Sequence, residues 1–178
     1  MKRRVVITGV GPVTPIGTGK EIFWNNLIAG KSGVGIITRF DPTDVDVKIA
    51  GEVKDFEYAD YMDKKEGKRM DRVTHFAVAA AKLAVEDAKL DLASINQVRA
   101  GVCVGSGIGG IETFVEQTTK YVEKGPSKIS PFFIPMMIGN MGAAQIAIKY
   151  GARGVNENIV TACASGTNAI GDALRHIQ

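Results

Sequence analysis

Short apolar runs alternate along this chain with longer stretches whose apolar residues recur at three and four. RRVVITGVG (3–11) is compact, β-branched and closed by glycine, and predicts a buried strand. EIFWNNLIAG (21–30) places Ile22, Phe23, Asn26 and Leu27 at helical spacing and ends on Gly30, a natural C′ residue. Residues 31–62 hold only short extended pieces, VGII and VKIAGEV, between Asp, Pro and Gly, and read as an excursion of irregular strands. From Asp71, a residue suited to capping, Val73, Phe76, Ala77, Ala80, Leu83, Ala84 and Ala88 mark out a long helix.

The second half repeats the alternation. RAGVCVGSG (99–107) predicts another buried strand, and IETFVEQTTKYVEKG an amphipathic helix ending on Gly125. PSKISPFFIPMMIGN (126–140) reads as a connection, unusually apolar and holding three prolines. GAAQIAIKYG (142–151) is a further helix, and ENIVTA (157–162) a third strand that runs into a final helix. Strands alternating with helices imply an α/β fold, a mostly parallel sheet with helices on both faces.

Composition narrows this picture without changing it. The chain has 178 residues, 45% hydrophobic and 23% charged, enough for one domain with a core and typical of water-soluble proteins. No apolar run approaches the roughly 20 residues that cross a bilayer. The basic, apolar N-terminus is broken by Pro12 and Pro15 and lacks a small-residue cleavage site, so it is not read as a signal peptide. A net charge of +3 is too mild to argue for nucleic acid. Cys103 and Cys163 form neither a disulfide framework nor a CxxC pair, which makes the reducing cytoplasm the default. His75 and His176 are not at metal-ligand spacing, and no metal is expected.

Two glycine-rich signals invite chemistry. GSGIGG (105–110) matches G-x-G-x-x-G between a strand and a helix. Dinucleotide binding would also need a following strand ending in an acidic residue, and GPSKISPFF is none. A tight turn in which glycines admit a close backbone is the simpler reading. The other signal is TACASGTNAIGDA (161–173), whose glycines cost helix stability, roughly 1 kcal/mol each. That makes sense for a buried helix closely approached by other backbones. Cys163 has two readings here. It is a small core residue, or it is a nucleophile at a strand end and helix start, where free N–H groups and the positive dipole end favour a thiolate and could hold an oxyanion. Cys103, between Val102 and Val104, reads as core.

TACASG, with RRVVITGVGPVTPIG, GKSGVGIITRFD, GSGIGG, KISPFFIP and GARG…NENIVTACASG, resembles the β-ketoacyl-acyl-carrier-protein synthases, nearest to the elongating type of bacterial fatty-acid synthesis. The resemblance implies a thiolase-like fold of two similar halves, with this chain the N-terminal synthase domain, stopping before that half's last strands. It also implies a homodimer, no cofactor, and fatty acyl and malonyl groups delivered on the phosphopantetheine of acyl carrier protein. Cys163 would take the acyl group as a thioester, with its own N–H an oxyanion donor. Ile108 would border the acyl pocket, and Phe133 would line it from the partner subunit. Lys64, Lys65, Lys68, Arg69 and Lys128 fall where the family receives its acidic carrier, although a lysine run is also an ordinary solvated face.

One local departure is Val155, where the family has proline. The larger departure is length. The family's two catalytic histidines and second oxyanion donor lie in its other half, and neither His75 nor His176 matches them. The 178 residues alone are therefore expected to lack condensing activity and to leave apolar strand and helix surface uncovered. Rival readings are a non-catalytic acyl- or carrier-binding module of the same fold and, among enzymes, a thiolase or polyketide ketosynthase.

Overall fold

The computed structural model describes residues 3–178. The chain opens with an extended segment, a tight antiparallel pair β1 (Val13–Thr14) and β2 (Gly17–Thr18), and helix α1 (Lys20–Ile28). Gly30, at φ 66°, then reverses the chain as its sequence position predicts. β3 (Val34–Ile36) and β4 (Ile49–Gly51) make the antiparallel excursion, followed by the short α2 (Lys64–Gly67) and the long α3 (Arg72–Asp87). After β5 (Val102–Gly105) come α4 (Ile111–Lys124), α5 (Phe133–Met137), α6 (Met141–Tyr150), β6 (Asn156–Ile159) and α7 (Ser165–Ile177).

The centre is the parallel pair of β5 and β6, in register Cys103 opposite Glu157 and Val104 opposite Asn158. Because successive residues of a strand face opposite sides, each strand serves two layers. α7 covers the face of Cys103 and Gly105, and α6 covers that of Val104, with α3 packed behind α6. The α/β expectation therefore holds, with the parallel arrangement confined to two strands among the described residues.

Asp71 fixes how α3 and α4 begin. Only 4% exposed, its carboxylate accepts the Val73 N–H (3.0 Å) in the first turn of α3 and the Thr113 N–H (2.8 Å) in the first turn of α4. One side chain satisfies amide donors at two helix starts.

Three expectations need correction. Residues 3–11 form no strand, and Val6 and Ile7 are 63% and 80% exposed. A strand exists only through ladder partners. Here the segment instead lays Gly9 and Gly11 against the backbone of α3 at Ala84 and Ala80, Val5 is half-buried, and Val6 and Ile7 stay largely uncovered. The apolar stretch 126–140 is not merely a connection, since it contains α5. Pro135 is tolerated there because it lies in the first turn, whose N–H groups have no helical partner. Lastly, α7 is not buried all round. Ser165 and Ala169 are buried, Ile170 and Leu174 are exposed, and Gly166 and Gly171 face open space rather than a neighbouring backbone.

Candidate active site

Cys163 lies in a single 3-10 turn (Ala162–Ala164) between β6 and α7, with its side chain exposed. The residue before it, Ala162, has φ 49°, the left-handed region that costs a residue with a Cβ roughly 1–2 kcal/mol. Ser165 braces this strained elbow. Its hydroxyl, 3% exposed with its residue, accepts the Thr161 N–H at 2.9 Å and donates to the Ala162 carbonyl at 2.6 Å. Asn168, one turn along, donates to the Thr161 hydroxyl at 2.8 Å. The chain is thus held on both sides of Ala162, and Cys163 is presented at the threshold of α7.

The glycine turn meets this elbow, which is what its composition demanded. A Cβ on Gly105 would stand 2.3 Å from the Ser165 carbonyl, and one on Gly107 3.5 Å from that of Ala162. On its other side the turn is held by α5, through the Gly110 N–H donated to the Met137 carbonyl at 2.8 Å. Gly109, at φ 82°, packs on Met137 and Gly139. Ile108, at the crest, is 73% exposed. Phe133 is half-buried at the opposite end of α5 and rests on Phe114 of α4, ring centres 6.3 Å apart. The structure therefore brings Cys163 and the Ile108 turn together directly and reaches Phe133 only through α5.

Neither histidine attends the thiol. His75 is half-buried, with Nε2 2.8 Å from the Gly67 carbonyl and its ring stacked on Tyr58 at 4.6 Å. His176, expected on a buried helix, is exposed at the far end of α7, roughly 20 Å from Cys163 at 1.5 Å of rise per residue.

The basic residues divide. Lys64, Lys65, Lys68 and Arg69 are all exposed on and just after α2. Lys65 and Arg69 line a groove of about 570 Å³ with Met62, Met70, Ile148 and Lys149. Lys149 was missed because α6 brings it there from far along the chain. Lys128, also exposed, lies outside that groove, although the Arg69 guanidinium stacks on the nearby Phe132 ring at 4.7 Å.

Residues 2–178 match the family model described as beta-ketoacyl synthase, N-terminal domain. The chain belongs to the β-ketoacyl synthase family. Over 177 residues it is 51% identical to 3-oxoacyl-[acyl-carrier-protein] synthase 2 of Synechocystis sp. (strain ATCC 27184 / PCC 6803 / Kazusa), covering 99% of this chain and 42% of that protein. The ishigamide ketosynthase/chain length factor superposes with a TM-score of 0.92 at 32% identity, over 99% of this chain and 44% of its own. A type II polyketide acyl-carrier protein in complex with its ketosynthase bound to the hexaketide shares the fold, with a TM-score of 0.83 at 21% identity over 98% of this chain and 46% of that one. The β-ketoacyl synthase fold is therefore that of these relatives, and the chain spans less than half their length.

Cys103 is half-buried rather than core, and burial together with Glu157 and Asp172 pushes its thiol up from the ordinary value. No described helix is long and apolar enough to cross a membrane.

Proposed function

We propose that this chain is the acyl-accepting portion of a 3-oxoacyl-[acyl-carrier-protein] synthase of fatty-acid elongation, working in the cytoplasm without a cofactor. The observation that carries the reading is the exposed Cys163 thiol, held at the start of α7 by a strained, braced elbow. A structural cysteine needs neither exposure nor a backbone kept in a costly conformation beside it.

In the first half-reaction the Cys163 thiolate attacks the thioester carbonyl of an acyl group carried on phosphopantetheine. Charge collects on the carbonyl oxygen, to which the backbone N–H of Cys163 donates. Collapse of the tetrahedral adduct breaks the bond to the carrier sulfur, which leaves as thiolate, and the acyl group stays on Cys163. Ile108 on the glycine turn borders the acyl chain, and Phe133 lines the pocket across a homodimer. Lys65 and Arg69, with Lys149, offer the acidic carrier a basic groove, flanked by Lys64 and Lys68 and, further off, Lys128. Such a patch acts on encounter rate and orientation more than on affinity. Loss of CO2 from malonyl carrier protein and attack of the resulting carbanion on acyl-Cys163 require proton handling and a second oxyanion donor. Nε2 of His75 is engaged at the Gly67 carbonyl and His176 sits at the far end of α7, so neither is assigned to these steps.

Incubation with acyl-loaded carrier protein, followed by peptide mass spectrometry, tests the reading. The expected result is an acyl adduct on Cys163, absent in Cys163→Ser, with no condensation product from these residues alone. Lys65→Glu combined with Arg69→Glu should slow transfer from the carrier but not from an acyl-pantetheine thioester. A folded chain that binds acyl carrier protein yet never acylates Cys163 would be a binding module instead.

A further inference from the structure

At the end of α7 remote from Cys163, three side chains from separate parts of the chain converge. The Cys103 sulfur, a Glu157 carboxylate oxygen and a His176 ring nitrogen all lie within 4.8 Å of one another. The arrangement follows from the register. Cys103 and Glu157 are direct partners across the parallel ladder, so both project from the same face of the pair. α7 covers that face and lays His176 over them, with Nε2 3.2 Å from Glu157 Oε2. Two strands and a helix carry these groups, and rigid elements hold ligand geometry better than loops.

We infer that Cys103, Glu157 and His176 form a binding site for a zinc ion, with three protein ligands and a fourth position left to water. The donor set selects the metal. A thiolate, an imidazole and a carboxylate are the three ligand types zinc accepts, whereas magnesium and calcium call for oxygen alone. With bonds of about 2.3 Å to sulfur and 2.0–2.2 Å to nitrogen and oxygen, ligand atoms on a tetrahedron stand roughly 3.3–3.6 Å apart. Side-chain adjustments of about an ångström close the present spacing to that value. Binding displaces the thiol proton: Cys103–SH and Zn²⁺ give Cys103–S–Zn⁺ and a proton released to solvent. Glu157 and Asp172 put negative charge close to the Cys103 sulfur, which favours a dication there. Arg3 and Arg99 line the adjoining cavity of about 400 Å³ with Cys103 and His176 and oppose a cation, though the Arg3 guanidinium also donates to the Ile177 carbonyl at 3.2 Å. A zinc ion here would tie the end of α7 to both strands of the central pair.

Cobalt reports the site directly. The 178-residue chain carrying Cys163→Ser, so that Cys103 is its only thiol, is titrated with Co²⁺. The expected spectrum has the near-ultraviolet thiolate-to-cobalt band and the visible bands of tetrahedral cobalt, and equimolar zinc abolishes both. Cys103→Ser removes the charge-transfer band. His176→Ala, a change on the exposed surface, weakens binding by more than the roughly 10–100-fold that outer-shell partners carry. Zinc also protects Cys103 from iodoacetamide and raises the melting temperature in the parent but not in His176→Ala. The inference is overturned if no thiolate-to-cobalt band appears, or if the bands survive His176→Ala unchanged. Neither result bears on acyl transfer to Cys163.

Discussion

Replacing Ser165 with alanine removes one oxygen atom and tests how the elbow is held. That oxygen makes two hydrogen bonds, to the Thr161 N–H at 2.9 Å and the Ala162 carbonyl at 2.6 Å. A neutral hydrogen bond contributes about 1 kcal/mol net, so the two together restrain the elbow by about 2 kcal/mol. Against this stands the left-handed φ of 49° at Ala162, which costs roughly 1–2 kcal/mol and is released if the turn relaxes. With the brace gone the relaxed geometry becomes competitive, and at one decade per 1.4 kcal/mol the braced population falls about tenfold. The assay is the second-order rate of iodoacetamide alkylation at Cys163, with Cys103 as an internal control and circular dichroism to confirm folding. Ser165→Ala should slow Cys163 about tenfold and leave Cys103 unchanged. Asn168→Ala, which keeps the Ser165 hydroxyl, should have a much smaller effect. A folded Ser165→Ala chain whose Cys163 reacts as fast as the parent would refute the reasoning. The outcome also separates positioning from nucleophilicity, because a parent Cys163 no faster than Cys103 would indict the thiol itself.

Gly105→Ala places a Cβ 2.3 Å from the Ser165 carbonyl. The forced shift should cost about 1–3 kcal/mol and lower the melting temperature by several degrees, read by calorimetry. Asp71→Ala strips acceptors from two helix starts at a buried position and should cost about 3 kcal/mol, seen as a lower urea midpoint at unchanged slope. Asp71→Asn, which keeps one acceptor oxygen, should lose less. The Glu52 carboxylate is held below its ordinary 4.5 by the N–H and hydroxyl of Thr38 and the N–H of Arg39. A depressed carboxylate stabilises the fold above its unfolded value and ceases to as the pH falls through the folded one. Glu52→Gln should therefore flatten the decline of stability below pH 4.5, with little change in its slope near neutrality.

What the sequence made legible was local. α1, α3, α4 and α6 announce themselves by apolar spacing, with a capping Asp71 and closing glycines at 30, 125 and 151. Cys163 was legible for the same reason, since a cysteine between a strand pattern and a small-residue helix is a local signal. Segment 3–11 misled because composition reports a preference for extended backbone, whereas a strand also needs a partner that no local pattern specifies. α5 was hidden by Pro135, a breaker everywhere but the first turn. The glycine turn was read correctly as a close approach, but what approaches it, the Ser165 carbonyl, comes from the other end of the chain. Lys149 beside Arg69, and Cys103 beside Glu157 and His176, are likewise products of topology. Spacing along the sequence, on which no metal was expected, reports only neighbours along the chain and cannot show such a grouping.

The carboxylate of Asp71 has a consequence beyond the two helices it starts. Because its two oxygens serve amides at Val73 and Thr113, the first turns of α3 and α4 cannot open independently without stranding an acceptor. The two regions are thereby joined into one cooperative unit, whose amides should exchange with solvent in a single concerted event. α4 leads directly out of the glycine turn that faces Cys163, so fluctuations of that turn are damped by the start of α3, which packs against Gly110. The rigidity of the thiol's surroundings thus depends in part on a residue far from the thiol along the chain.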